Sequence, residues 1–145
     1  MENVALHPIQ LESIAIKKLS IDVWDMNQAI SYKGDLSLQI QTGHGEFNFE
    51  DSSINVAIRA NLGTAKPDET QKYIKSAPFY IEVELFGLFI VDTQQFDVKH
   101  LPQWAQVNAP FLLMPYLREH LYGLSARANI QDIIIPLFVQ PPVFT

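Results

Sequence analysis

The 145-residue chain contains no cysteine. That excludes a disulfide framework, a thiol nucleophile and a thiolate metal site, and it suits a reducing, cytoplasmic setting. Clustered positive charge is also missing. Ten Lys+Arg against 16 Asp+Glu give a formal net charge of -6 without any cationic run. Nucleic acid is therefore not an expected partner, because phosphate neutralisation needs concentrated cations. No apolar run reaches the length of a membrane span, and the longest are broken at Gly87 or Pro136, so no membrane insertion is expected. The start, MENVALHPIQLESIAIKK, lacks a basic region followed by an apolar core, so no signal peptide is read. The G-x-G-x-x-G, P-loop and G-x-S-x-G motifs are absent. His7, His44, His100 and His120 are scattered, none with a second ligand at metal spacing. Glu82 and Glu84 share a strand face, which a solvated surface or pairing with Arg59 explains better than acid–base catalysis. The reading is a non-enzyme with no catalytic residue, metal or cofactor.

What the chain does hold is one domain's worth of patterned apolar residues, 48% of the sequence, read as a single domain over 1–145. Residues 13–23 predict a first strand whose alternation slips at Lys17-Lys18, the mark of a bulge. Residues 35–42 and 54–62 alternate cleanly, with Ile54, Val56, Ile58, Ala60 and Leu62 on one face. Between strands, 24–34 has no period, and the polar stretch 63–76 reads as a mobile loop. A fourth strand starts at Phe79, and beyond Phe86-Gly87 both its faces turn apolar, predicting a double cover or a kink at Gly87. Asp97 is placed to cap a short helical piece over 98–106.

A long helix follows, with Asn108 as its cap, Pro110 in its first turn, Pro115 bending it around 111–115, and Asn129 ending it. Leu113, Leu117, Leu121, Leu124 and Ala128 keep the three-and-four spacing of one buried stripe. Phe111, Met114, Tyr122 and Ala126 add apolar surface beyond it. One sheet face covers one stripe, so the helix calls for a second cover, expected to be another subunit. Leu113, Tyr116, Leu117, Leu121 and Leu124 are the residues expected at that oligomer interface. A second apolar run, 133–139, comes after the helix. The large apolar groups Trp24, Met26, Ile30, Tyr32, Phe47 and Phe49 lie in non-periodic segments. Taken one by one they read as core under loops. Together they are what a peptide-binding groove needs: rigid contact area, one adaptable methionine and a nearby backbone edge.

The helix also carries a family resemblance. Asn108-Ala109-Pro110, Met114-Pro115-Tyr116-Leu117-Arg118-Glu119 and Leu124-Ser125-Ala126-Arg127 resemble the main helix of SecB, the protein-export chaperone. Ile58 to Gly63, Phe79 to Val83 and Ile133 to Val139 resemble its third and fourth strands and the run after its helix, so that the likeness spans about residues 10–139. The resemblance implies an α+β fold, a four-stranded antiparallel sheet followed by one long helix, assembling as a dimer of dimers. It implies an ATP-independent holdase that binds unfolded or preprotein polypeptides in the cytoplasm. The family continues into another helix and an acidic tail that contacts the motor ATPase SecA, whereas this sequence runs out at Thr145. Of the family's motor-docking positions only Asp22 and Leu62 keep their type, with Lys18 and Thr64 replacing acids, so SecA engagement is not expected to be strong. Two alternatives stand beside this reading: a SecB-like chaperone dedicated to a toxin–antitoxin pair, and a small apolar-ligand-binding protein.

Overall fold

The computed structural model describes residues 4–33, 36–64, 77–130 and 133. Four strands, β1 (Ile9–Val23), β2 (Leu38–His44), β3 (Ser53–Gly63) and β4 (Phe79–Val91), form one antiparallel sheet in the order β1-β4-β3-β2. Among the described residues three α-helices accompany it: α1 (Met26–Ile30), α2 (Leu101–Val107) and α3 (Ala109–Arg127). The period-2 pattern accounts for the central strand. Phe79, Ile81, Val83, Leu85, Phe89 and Val91 are buried on the side covered by α3, while Tyr80, Glu82, Glu84, Phe86, Leu88 and Ile90 are half-buried on the outer side. The helix presents Leu113, Leu117, Leu121 and Leu124 to that sheet as the spacing predicts, and Met114, read as lying away from the stripe, is buried as well. Burial of each such side chain contributes roughly 1.5–3 kcal/mol.

β1 starts earlier than its alternation suggests. Its register on β4 shifts between Ile16 and Lys18, the predicted bulge, and again between Leu11 and Ser13. Past Gly87, β4 continues to Val91 and keeps its register with β3 as far as Ile90; its outer side is half-buried, not fully covered, among the described residues, and its outer Phe86 lies between the small residues Ala15 and Ala57 with the Lys17 ammonium 5.3 Å from its ring centroid. Asp97 caps the turn before α2, accepting from the Lys99 N–H at 3.1 Å. The backbone donor holds its carboxyl below the usual carboxylate range.

Asn108 departs from its expected role. Its backbone is helical, its N–H donates to the Trp104 carbonyl, and its side chain caps nothing, because α2 runs directly into α3. α3 continues through Pro115. Asn129 ends it in the left-handed region (φ 60°), donating to the Ala126 carbonyl while Ile130 donates to that of Ser125. Those paired bonds form a Schellman motif with asparagine where glycine is usual. Residues 65–76 and the run after Ile133 lie outside the described residues, so the expected mobile loop and second apolar run do too.

Candidate chaperone surfaces

The six aromatic and apolar residues expected to bind clients fall into two groups. Trp24 donates its backbone N–H to the Pro78 carbonyl (3.1 Å), tying it to the start of β4. Asp25 then caps α1 by accepting from the Gln28 N–H (3.0 Å), so this five-residue helix buries Ala29 and leaves Met26 and Ile30 exposed. Tyr32 stands edge-on to Phe79, ring centroids 6.2 Å apart, and packs against the core. Phe47 and Phe49 lie in the β2–β3 connection, 4.9 Å apart and edge-to-face. Asn48 fixes that loop, its side-chain carbonyl accepting from the N–H groups of Glu50 (2.9 Å) and Asp51 (3.2 Å) and its backbone bridging Ser53. Phe47 packs on the core, and Phe49 is 77% exposed.

Strand register separates the two groups. Val23 pairs with Phe79 at one end of β4 and Ser53 with Ile90 at the other, and at ~3.3 Å per residue that distance is roughly 35 Å. One chain therefore does not gather all six into a single pocket. β2 runs along the edge between them, and among the described residues no strand lies beyond it. An unpaired sheet edge is the kind of surface to which an extended peptide can add a strand.

The residues expected at an oligomer interface also divide. Leu113, Leu117 and Leu121 are fully buried and Leu124 is nearly so, all inside their own chain, whereas Tyr116 is exposed. Within one chain these four leucines therefore serve the core first. The apolar surface α3 does turn outward is Phe111, Leu112, Tyr116 and Tyr122. Beside it lies a groove of about 570 Å³ that sequence reasoning missed, walled by Ile9, Leu11 and His7 on one side and Trp104, Phe111 and Tyr116 on the other. His7 stacks on Trp104 (6.2 Å, 27°) and Trp104 meets Phe89 edge-on (5.2 Å). The tryptophan in the short pre-helix segment was its one sequence signal.

Of the two residues expected to dock a partner, Asp22 is exposed on the outer sheet face opposite Tyr80. Leu62 pairs with Ile81 on the helix side and is buried in its own chain, where the strict alternation of β3 puts it. The outer face carries an ion-pair ladder. Lys18 pairs with Glu82, Lys17 lies 3.9 Å from Glu84, and Arg59 stands opposite Glu84 while donating to Gln41. The hydrogen bond to Glu82 and its charge raise the Lys18 ammonium above its usual range, and burial pushes the Tyr80 hydroxyl up. His44 is an exposed residue at the end of β2, its Nδ1 2.8 Å from the Gly45 carbonyl. Among the described residues no His/Asp/Glu group is spaced to hold a metal ion, and no helix is long and apolar enough to cross a membrane.

The sheet is thus buried on one side by a long helix, and large apolar residues are left exposed at its ends. The model of the family described as preprotein translocase subunit SecB matches residues 2–139, and the chain belongs to the SecB family of protein-export chaperones. It is 27% identical over 132 residues to the protein-export protein SecB of Neisseria meningitidis, covering 90% of this chain and 84% of that one. An uncharacterized protein of Methanocaldococcus jannaschii is 35% identical over 68 residues, 47% of this chain and 42% of its own length. In fold it resembles the Mycobacterium tuberculosis Rv1957 SecB-like chaperone, solved in complex with a ChAD peptide from the Rv1956 HigA1 antitoxin. The TM-score is 0.62 at 17% identity, over 92% of this chain and 93% of that one.

Proposed function

We propose that this chain is an ATP-independent holdase of the cytoplasm, capturing unfolded polypeptides along the open edge of β2. The observation that carries the reading is the placement of that edge between two exposed groups, Met26 and Ile30 at one end and Phe49 at the other. An extended client gains main-chain hydrogen bonds from the edge and side-chain burial from the groups, which gives affinity without sequence preference. Aromatic anchors freeze few torsions on binding, and methionine adapts to varied side chains. The apolar outer side of α3 is the surface for a second copy, making the working unit a dimer at least and a dimer of dimers in the full assembly. The Lys17, Lys18 and Arg59 side chains on the outer sheet face leave little net negative charge there, so SecA engagement is weak.

The test is suppression of aggregation of a chemically denatured client without nucleotide. Serine at Met26, Ile30 and Phe49 should weaken capture several-fold while leaving the circular dichroism spectrum unchanged. Undiminished capture by that folded variant would remove these residues from the site. A second reading is a chaperone dedicated to one antitoxin, favoured by the antitoxin peptide bound to the Rv1957 protein. A dedicated chaperone would protect one partner and ignore unrelated denatured clients in the same assay.

A further inference from the structure

One end of the outer sheet face holds a recess that is no part of the β2 edge or of the side covered by α3. β1 supplies one wall. Its register on β4 passes from Leu11 opposite Phe89 to Ser13 opposite Leu88, so Glu12 is the extra residue of a bulge, and a bulge re-aims the side chain it carries. The β2–β3 connection supplies the other wall. There Asn48 bridges Ser53 through its backbone and donates from Nδ2 to the Asp51 carboxylate at 3.2 Å, with Glu46 two residues before it. Leu88 and Ile90 of β4 form an apolar floor between the walls, and the space is about 400 Å³. Glu12, Glu46 and Asp51 all line it, and none enters an ion pair among the described residues. Ser53 lines it too. That residue is only 6% exposed, and its hydroxyl makes no hydrogen bond among the described residues.

We infer that this recess binds a primary alkylammonium group carried on an aliphatic chain, as a free diamine or a peptide lysine presents it. Three carboxylates without a counter-charge focus a negative potential into a concave site, which favours a cation. Among the described residues no acidic group is spaced to hold a metal ion. A hard divalent cation also takes a shell of about six or more oxygens, and the Leu88 and Ile90 floor offers none. An alkylammonium matches both parts of the site. Its methylenes cover the apolar floor while its three N–H donors reach oxygens at the rim. Ser53 adds a buried hydroxyl oxygen, an acceptor that costs free energy while it is unmatched. The Asn48 amide holds the Asp51 carboxylate before a ligand arrives, which lowers the ordering cost of binding. The recess lies apart from the expected docking residue Asp22, which pairs with Tyr80 near the start of β4, whereas Ser53 pairs with Ile90 near its end. Nothing in this inference depends on the holdase reading.

The experiment titrates 1,5-diaminopentane and acetyl-Gly-Lys-Gly-amide separately into the full chain and follows the methyl NMR signals of Leu88 and Ile90. At least one of the two should move those signals saturably at low ionic strength, and the affinity should fall as salt is raised to about 300 mM. Response to the diamine alone assigns a free small ligand, and response to the peptide alone assigns a lysine of a polypeptide. Glu12→Gln and Glu46→Gln, both at exposed positions, should each weaken binding by about threefold, and Ser53→Ala by a similar factor, with circular dichroism unchanged. 1-Pentanol, a chain of the same length without the charge, should leave the signals in place. The inference is overturned if neither amine moves them, if the pentanol moves them equally, if calcium chloride binds the recess more tightly than the amines, or if the three variants bind like the wild-type chain. Suppression of client aggregation, measured on the same variants, should be unchanged in every case, so that failure of this site leaves the holdase reading standing.

Discussion

A Cβ placed on Gly87 would stand 2.7 Å from Cδ2 of Leu113. The absent side chain in the middle of β4 is therefore the seat of a leucine from α3, and the first turns of the helix are keyed to the sheet at that point. Phe89 Cε2 and Leu11 Cδ1 lie 3.2 and 3.3 Å from the same point, so a side chain added there would press on three neighbours at once. Gly87→Val should destabilise the chain by about 1–3 kcal/mol through overpacking. Adding Leu113→Ala should recover part of that loss, giving a double-mutant coupling above about 0.5 kcal/mol. Urea unfolding of the four variants measures it; strictly additive losses would show that the two residues are not in contact.

The inner and outer sides of α3 should respond oppositely to charge. Leu121 is fully buried against its own sheet and Tyr122 is 62% exposed. Leu121→Asp should cost several kcal/mol because the carboxylate has no partner inside, and the chain should lose its cooperative unfolding transition. Tyr122→Glu should keep the thermal transition within a few degrees and shift the protein toward smaller species in sedimentation. Loss of folding in Tyr122→Glu would show that the outer side is covered within the chain.

These two residues also mark what the sequence made legible. The three-and-four spacing of Leu113, Leu117, Leu121 and Leu124 is a local property of a helix, and it placed the buried stripe correctly. The Lys17-Lys18 slip is equally local and corresponds to the register shift between Ile16 and Lys18. Which residues share an end of the sheet is different, because it depends on pairing between strands far apart in sequence. Trp24 and Phe49 were grouped by composition, yet the β1–β4 and β3–β4 registers put them at opposite ends. Helix α1 escaped because five residues with one buried alanine leave no period to detect.

The outer sheet face should loosen in alkali. The Lys18 ammonium is raised above 10.5 chiefly by its hydrogen bond to Glu82, and the Tyr80 hydroxyl above 10.0 chiefly by burial. Both groups hold their protons more tightly folded than unfolded. Their contribution to stability is therefore complete below about pH 10 and is lost as pH rises through the folded values. Thermal unfolding followed from neutral pH into strong alkali should show a smaller decline in a Lys18→Met, Tyr80→Phe variant than in the wild-type chain. Identical declines would place the alkaline sensitivity elsewhere.

Partner docking through the outer face can be tested by reversing its charge. Asp22 is exposed there, but neighbouring carboxylates are already occupied, Glu82 by Lys18 and Glu84 by Lys17 at 3.9 Å. A basic partner approaching this face would have to displace those lysines and would meet Arg59 beyond them. Each surface charge contact contributes up to about 1 kcal/mol, so losing several weakens docking by orders of magnitude. Lys18→Asp changes two terms at once, adding a carboxylate and releasing Glu82, and Thr64→Glu adds another acid at the end of β3. The wild-type chain should bind SecA weakly or not at all in calorimetry, and the double variant should bind measurably more tightly, with an affinity that falls as salt is raised from about 50 to about 300 mM. Tight, salt-sensitive binding by the unmodified chain would show that the lysines yield to the motor, and would give the protein the ordinary export role of its family.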